Sequence, residues 1–543
     1  MNTKIVLTLS ILLGSIIAQA EMNYSYEMKY GDGKQVTGSA SDDPITSDYN
    51  YFENLLDINT YFGENIYMYS QLEYSNRPVF GSRANGLNTF YLEYQDDQFK
   101  IILGDQYELY GRGLSFYTLQ DQNIDYNNSL KGITLNYFLK QNIEISSLIG
   151  KGSYYYRSNP AFRETDLQLE TSVIFNSVNY EDDKFGYFQY AYTKQELIID
   201  PALTGIFENR TEIYYELNDR LEYAFSNPST DQQLIDIYLS YQSESILDTV
   251  DINNHNFNWN LFLGPFDIYV DKAWIQYDKI FGNEVFGSRF YTSISTELFD
   301  AGITYEYKNY YTPYLIKSIS NPPICYRIGN SILASRNTHS MNFGNEIGHQ
   351  IDLNRNLFGI MNLAANLSLS HRHKSGDMAS ISLLDVLSMK DENKMYDYYP
   401  FRQMYLEMNG WALSERLYYK VGMDHYTEIY GGKNTSALTL PTHWAWKLSS
   451  GSSFTIYMEA QEKIEKQRNL TNETKYLNYY SSISYSHLGK WIATSFYDQE
   501  VKDSKTNTWL GADLSYKISS ETQVSLFYGS QKGGLVCANG ICA

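Results

Sequence analysis

Between Leu103 and Gly132 the chain reads LGDQYELYGRGLSFYTLQDQNIDYNNSLKG, a stretch that sets Asp105, Glu108, Arg112, Asp121 and Asp125 among aromatic residues. Aromatic side chains at this density call for packing, and a packed segment must pair or hydrate its charges. Gly111 and Gly113 flank Arg112 and permit a tight backbone path, along which the guanidinium would meet a carboxylate such as Asp105 or Asp121 through paired hydrogen bonds. The pattern favours a salt-bridged loop bracing a wall. Its alternative is a constriction whose charges select solutes.

Other reactive residues are sparse. His371 and His373 flank Arg372 at a period of two, which puts both imidazoles on one strand face, but Leu367 and Leu369 share that face. The run is expected to face lipid and end at the membrane interface, and without a third ligand it makes no metal site. Cys537 and Cys542 form a close pair, read in an exported chain as a disulfide closing a small loop, and Cys325 stands alone. There is no Gly-x-Ser-x-Gly elbow, no His-Glu-x-x-His and no phosphate-cradling glycine loop, and scattered carboxylates nominate no glycosidase pair. No catalytic residue, metal or cofactor is therefore assigned.

The elements that must position these residues are strands. Met22, Tyr24, Tyr26, Met28 and Tyr30 alternate with polar neighbours, and the same period returns along the chain. Ahead of them, Lys4, the apolar run 5–17 and Ala18-Gln19-Ala20 have the layout of a secretory signal over residues 1–20, leaving 21–543 as one domain. With 53 Tyr and 26 Phe in 543 residues, a mean hydropathy of -0.42 and no linker, the composition fits a wall of strands of which one face meets lipid. The formal charge of -21 argues against nucleic acid as a partner. It suits acidic loops, or an acidic lumen favouring cations.

Twenty-six candidate strands can be marked, from 22–30 to 522–530. Their connections alternate long and short, as in outer-membrane barrels, with long ones at 31–51, 77–87, 108–129, 152–165 and 194–207, and again at 309–340, 374–402, 426–437 and 462–477. The two runs fall out of step between 218 and 255, so one strand there is split or missed. Either correction makes the number odd, which places the end of strand 522–530 on the long-loop side and leads us to expect that a final descending strand lies beyond the sequence. In the segment 309–340, Asn321-Pro322-Pro323 excludes a central strand, so the segment either folds into the lumen as a partial plug or lies outside as a lid, the external loop being preferred. Trp444 and Trp446 share a face and suit an aromatic girdle, while Tyr154-Tyr155-Tyr156 and 395–400 suit girdles or loop packing.

Leu103-Gly104-Asp105 with Tyr107, Gly111-Arg112-Gly113-Leu114, Asp121, Asp125 and Leu130-Lys131-Gly132 resemble landmarks of a family of large outer-membrane β-barrel proteins of Bacteroidetes-like Gram-negative bacteria. Asn321-Pro322-Pro323 and the run from Gly533 through Cys537 to Cys542 are similar to later landmarks. The resemblance implies a barrel with a last strand after the cysteine pair, and it implies no reaction. The expected architecture is thus all-β, a single large antiparallel transmembrane barrel of about 24–28 strands with long external loops, placed in the cell outer membrane. Expected partners are outer-membrane lipid and a small solute or an envelope protein. Porin-like passage or a barrel role in an envelope complex comes first, a non-conducting structural or adhesive surface protein second, and an outer-membrane hydrolase third.

Overall fold

The computed structural model describes residues 20–37, 45–198 and 249–542, apart from 77, 80–82, 122–125, 157–166, 281–282, 313–318, 330, 338, 340–344, 374–379, 391, 431, 449–450, 469–472, 504, 534–536 and 539–540. The expected signal 1–20 thus lies outside the described residues up to Ala20, where the first strand begins.

Among the described residues, twenty-three strands form one antiparallel sheet in which each is bonded to its neighbours in sequence. The first nine are β1 (Ala20–Thr37), β2 (Ile45–Phe62), β3 (Ile66–Ser75), β4 (Asn85–Gln95), β5 (Phe99–Gln106), β6 (Leu130–Lys140), β7 (Ile143–Tyr156), β8 (Leu167–Asp182) and β9 (Gly186–Ile198). Then come β10 (Thr249–Leu263), β11 (Phe266–Ile280), β12 (Asn283–Leu298), β13 (Ala301–Tyr311), β14 (Asn345–Leu357), β15 (Met361–His371), β16 (Phe401–Ala412) and β17 (Leu417–Tyr430). The last are β18 (Lys433–Lys447), β19 (Ser452–Gln467), β20 (Glu473–His487), β21 (Trp491–Lys502), β22 (Lys505–Lys517) and β23 (Gln523–Gly529). These occupy the places of all the candidate strands but three, and those three, 208–217, 220–225 and 233–243, lie outside the described residues. Where the two runs of connections fall out of step, β9 pairs directly with β10, from Tyr187 against Asn260 to Ile198 against Thr249. Among the described residues the number is odd. β1 and β23 therefore run in the same direction, and no ladder joins them among the described residues.

Every second connection, beginning with 63–65, is a turn of two to five residues, and the long connections gather at the other end. Two connections expected to be long are short instead, because β17 runs to Tyr430 before β18 starts at Lys433, and β19 runs to Gln467 before β20 starts at Glu473. Rungs such as Glu428 with Thr435 and Glu465 with Thr474 carry the ladders onward. Backbone pairing outlasts the apolar alternation there, since strands above the membrane no longer need an apolar face.

The two faces of the sheet are inverted relative to a soluble protein. In β6, Ile133 is 46 % exposed and Leu135 40 %, whereas Thr134 and Asn136 between and beyond them are buried. Met404, Leu406 and Met408 of β16 are exposed beside buried Gln403, Tyr405 and Glu407. An apolar outer face with a polar inner one is what a wall bathed in hydrocarbon requires. Aromatic pairs on the outer face mark its short-turn rim: Phe99 with Tyr137 at 5.0 Å, Phe188 with Trp259 at 5.5 Å, Tyr419 with Trp444 at 6.3 Å, Trp446 with Phe454 at 6.0 Å and Trp491 with Tyr516 at 4.1 Å. Rings at this level anchor a barrel at the lipid headgroups.

Two long connections turn inward and dictate the curvature. Their contacts reach from Gln71 of β3 to Asp498 of β21, strands that a flat sheet spaced at ~4.8 Å would hold roughly 85 Å apart. The connections are also bonded to each other, Tyr117 N–H donating to Ile319 O at 3.0 Å and Asn321 N–H to Gly113 O at 3.0 Å. The sheet is rolled around them as a barrel wall.

Two outcomes are expected. Leu406→Arg, at the middle of the outer face, costs about 2–4 kcal/mol in equilibrium unfolding from bilayers, and Phe358→Arg in a short turn about 0–1 kcal/mol. Cys537 and Cys542 face each other as backbone partners in a short terminal ladder. The disulfide expected between them leaves one titratable thiol in denaturant without reductant, that of Cys325, and reduction raises the number to the three cysteines of the chain.

Candidate functional site

The first inward connection, 107–129, is built on two small hairpins, Leu109–Tyr110 with Phe116–Tyr117 and Gln120–Asp121 with Tyr126–Asn127. Tyr110 and Phe116 bury against Leu148, Val173, Phe175 and Ala191 of the wall and Ile319 of the other connection. Between the hairpin arms the chain bends so that its backbone donors point at the wall. Gly111 N–H donates to Gln189 Oε1 at 3.1 Å and Arg112 N–H to Asp271 Oδ2 at 3.1 Å. Asp271 also accepts from Tyr269 Oη at 3.0 Å and from Asn256 Nδ2 at 2.6 Å, while Asn258 Nδ2 donates to Gln189 at 2.6 Å.

Both glycines are required by this approach. Gly111 has φ +59°, and a Cβ there would stand 2.7 Å from Asp271 Oδ2; Gly113 has φ +80°, and its Cβ would stand 2.7 Å from Asn321 O. One touches the wall and the other the second connection.

The expected meeting of Arg112 with Asp105 does not form, and the side chain of Asp121 lies outside the described ones. Arg112 is exposed and lays its guanidinium over the rings of Tyr269 and Tyr291, 4.9 and 6.0 Å from their centroids. Asp105 is buried and accepts from Phe90 N–H at 2.8 Å and Ser129 Oγ at 2.9 Å. Nearer donors satisfy the carboxylate, and the ring faces give the guanidinium a seat that keeps its head hydrated. Asp121 is placed by its backbone opposite Tyr126, and Asp125 lies outside the described residues. Glu108 is held in the loop by its backbone N–H, which donates to Thr118 Oγ1 at 2.7 Å. Burial pushes its carboxyl up to about 7, with Lys100 opposing the shift and Glu144 and Glu93 adding to it.

The second connection, 312–344, takes the lumenal of the two expected places and not the preferred external one. Its prolines supply no donors, but the carbonyls around them accept from the wall: Tyr310 Oη donates to Pro323 O at 2.9 Å and Lys308 Nζ to Ile324 O at 2.6 Å. Ile319 N–H donates to Gln195 Oε1 at 3.0 Å. Arg289 Nη1 reaches both connections, donating to Leu114 O at 2.9 Å and Ser320 Oγ at 2.7 Å. Further on, helix α1 (Ile332–Ser335) presents Ile332 and Leu333 N–H to Glu459 at 2.6 and 2.8 Å, with Ser331 Oγ at 2.9 Å. Arg336 grips Asp498 with both terminal nitrogens. Arg327 lies 3.9 Å from the Tyr405 ring centroid.

His339 is buried between Glu346 at 3.2 Å and Glu428 at 2.6 Å, stacked on Phe401 at 4.0 Å. Burial pulls its pKa down, but the two carboxylates outweigh that and hold it above the ordinary imidazole value. Cys325 is buried too, and burial drives its thiol far above the usual range, the setting of an inert thiol.

A third connection, 372–400, overturns the lipid-facing expectation for the histidines. Helix α2 (Leu383–Ser388) lies over β15 and β16, and α3 (Glu392–Tyr398) follows it. His371, His373 and Leu369 are buried under this cover. His371 Nδ1 is 2.9 Å from Arg372 O and His373 Nδ1 2.7 Å from Asn345 Oδ1. Among the described residues, no three His, Cys, Asp or Glu side chains are disposed to hold a metal ion. Tyr396 packs in the same layer under Arg468, 4.5 Å from its ring centroid, and the side chains of Tyr154 to Tyr156 lie outside the described ones.

Sequence reading missed the wall half of the site: Gln189, Asn256, Asn258, Asp271, Lys308, Glu346, Glu459 and Asp498. Each sits at an inward position of a strand, so period two marks its face. Nothing local marks its partner, which lies up to 175 residues away in the case of Arg289 and Leu114.

Fold and site together define a β-barrel whose interior is crossed by two of its own connections. The chain belongs to DUF6029, a family of unknown function whose model matches residues 13–543. No curated protein matches it. Solved structures similar to it include OccK10 (OpdN) of Pseudomonas aeruginosa, at 8 % identity over 79 % of this chain and 99 % of the other with a TM-score of 0.38. OccAB3 of Acinetobacter baumannii has 8 % identity over 83 % and 100 %, TM-score 0.39, and the P pilus usher (PapC) translocation pore 10 % over 94 % and 96 %, TM-score 0.38.

Gly111→Ala is expected to loosen 107–129 by about 1–2 kcal/mol from the left-handed backbone alone, read as faster proteolysis within the loop with the barrel intact. Since Glu108 is raised in the docked loop, docking is favoured at low pH and weakens as pH rises through about 7. Amide exchange of 107–129, corrected for intrinsic rate, should accelerate across that window, and Glu108→Gln should abolish the step.

Proposed function

We propose that this protein is a porin-like barrel of the outer membrane, exported by its N-terminal signal, that passes small solutes, cations in preference, around a constriction made by its two inward connections. The observation that carries this reading is the chemistry of the inner wall. Polar side chains take most of its positions, and among the described residues its buried carboxylates, among them Glu53, Glu73, Asp271, Glu407, Asp424 and Glu459, outnumber buried lysine and arginine. A wall of that sign lowers the barrier for cations. The apolar outer face and its aromatic rim support the membrane setting, and outer-membrane lipid is the first partner. A source in Bacteroidetes-like Gram-negative bacteria belongs to the same proposal, as does the assignment of no reaction and no cofactor.

One observation favours a second reading. The inward connections touch walls from β3 to β21, which suits a sealed barrel serving as a structural or adhesive surface protein, or as the barrel of an envelope complex. Planar bilayers separate the two. Passage predicts small currents whose reversal potential under a KCl gradient shifts toward that of potassium, and Arg336→Ala, which frees Asp498 from the plug, should enlarge them. Silence from both the intact protein and this variant would sink passage in favour of the sealed barrel.

A further inference from the structure

Below the inward connections, toward the short turns, the inner wall changes character. Wall residues that touch the plug, or lie level with those that do, give way two positions lower on the same face to an aromatic ring: Glu459 to Tyr457 on β19, Asn478 to Tyr480 on β20, Asp498 to Phe496 on β21. The upper members are buried and the rings are partly exposed. The row continues both ways. Ring centroids step from Trp411 to Tyr418 at 5.2 Å, to His443 at 5.7 Å, to Tyr457 at 6.1 Å and to Tyr480 at 6.0 Å. Beyond Tyr480 they step to Phe496 at 6.0 Å and to Phe527 at 6.1 Å. The last pair meets across Gly511 of β22, whose absent side chain leaves room for both rings.

These rings cannot serve as lipid anchors, because they share the inner face with Glu407, Gln461 and Asp498. Covering Gly511 explains Phe496 and Phe527 but not the other five. Hydrogen-bonding groups stand at the Trp411 end: Glu407 accepts from Asn409 Nδ2 at 3.0 Å and pairs with Lys420 at 2.7 Å. A row of rings, tilted or edge-to-face from Trp411 to Tyr480 and near parallel from Tyr480 to Phe527, with an amide, a carboxylate and an ammonium at its Trp411 end, offers apolar ring contacts and hydrogen bonds to a ligand with flat apolar faces and a rim of hydroxyls, which is the chemistry of a linear saccharide.

We infer that this row of rings, on the inner wall beneath the plug from β16 to β23, is a binding site for a linear saccharide. The inference rests on the barrel reading for its inner face, and it names a solute class for that barrel. Maltohexaose titrated calorimetrically into the full-length protein in detergent should bind, and Trp411→Ala and Tyr480→Ala should each weaken it about five-fold or more, the scale of one aromatic contact. Tyr480→Phe, which keeps the ring, should stay near wild type, and heat-modifiable migration verifies that each variant is folded. No binding by the folded wild type, or binding indifferent to both alanine variants, would overturn the site. Binding in detergent does not depend on ion passage, so a barrel silent in bilayers that still binds maltohexaose in this ring-dependent way supports the site while refuting passage.

Discussion

A polar wall turned inward must have its hydrogen bonds met, and the whole interior follows from that demand. The outer face takes most of the apolar side chains, and the inner face carries asparagines, glutamines and carboxylates beside an apolar patch, Leu148, Val173, Phe175 and Ala191, that packs on the first connection. Water could hydrate them in an open channel. Here backbone groups of two connections do much of that work, and Asp271 shows it most compactly, accepting from one backbone amide, one phenol and one side-chain amide. Removing the connections would leave these groups to solvent, and removing the groups would leave the connections unheld.

The plug and the wall divide the charges between them. The second connection brings Arg327, Arg336 and His339, and the wall presents Glu346, Glu428, Glu459 and Asp498. In a chain of net charge -21, these basic groups are spent on the chain's own interior, and the remaining acidity belongs to wall and loops. Close packing sets the same limit as charge. Gly111 and Gly113 are indispensable because each brings backbone within reach of atoms that any β-carbon would displace.

Fold was legible because period two is a local signal: Ile133 and Leu135 against Thr134 and Asn136 state their faces without help. Strand ends were less so, as at Tyr430 and Lys433, where pairing persists through polar residues that carry no alternation. The site was legible only on its glycine side. The bend at Gly111-Arg112-Gly113 announced a tight approach, but the partners Asp271, Gln189 and Asn321 are fixed by barrel curvature, which no window of sequence contains. The same blindness leaves 312–344 open between lumen and exterior, since paired prolines speak against a strand and say nothing about which side of the rim a loop takes. His371 and His373 were misjudged for a similar reason, because α2 and α3 arrive from the following connection to cover them.

Arg289 donates to both connections, and the connections exchange backbone hydrogen bonds with each other. Neither can withdraw without stripping partners from the other, so the obstruction behaves as one cooperative body. Loosening either connection therefore costs the other its backbone partners as well, so a change confined to one of them is felt by both.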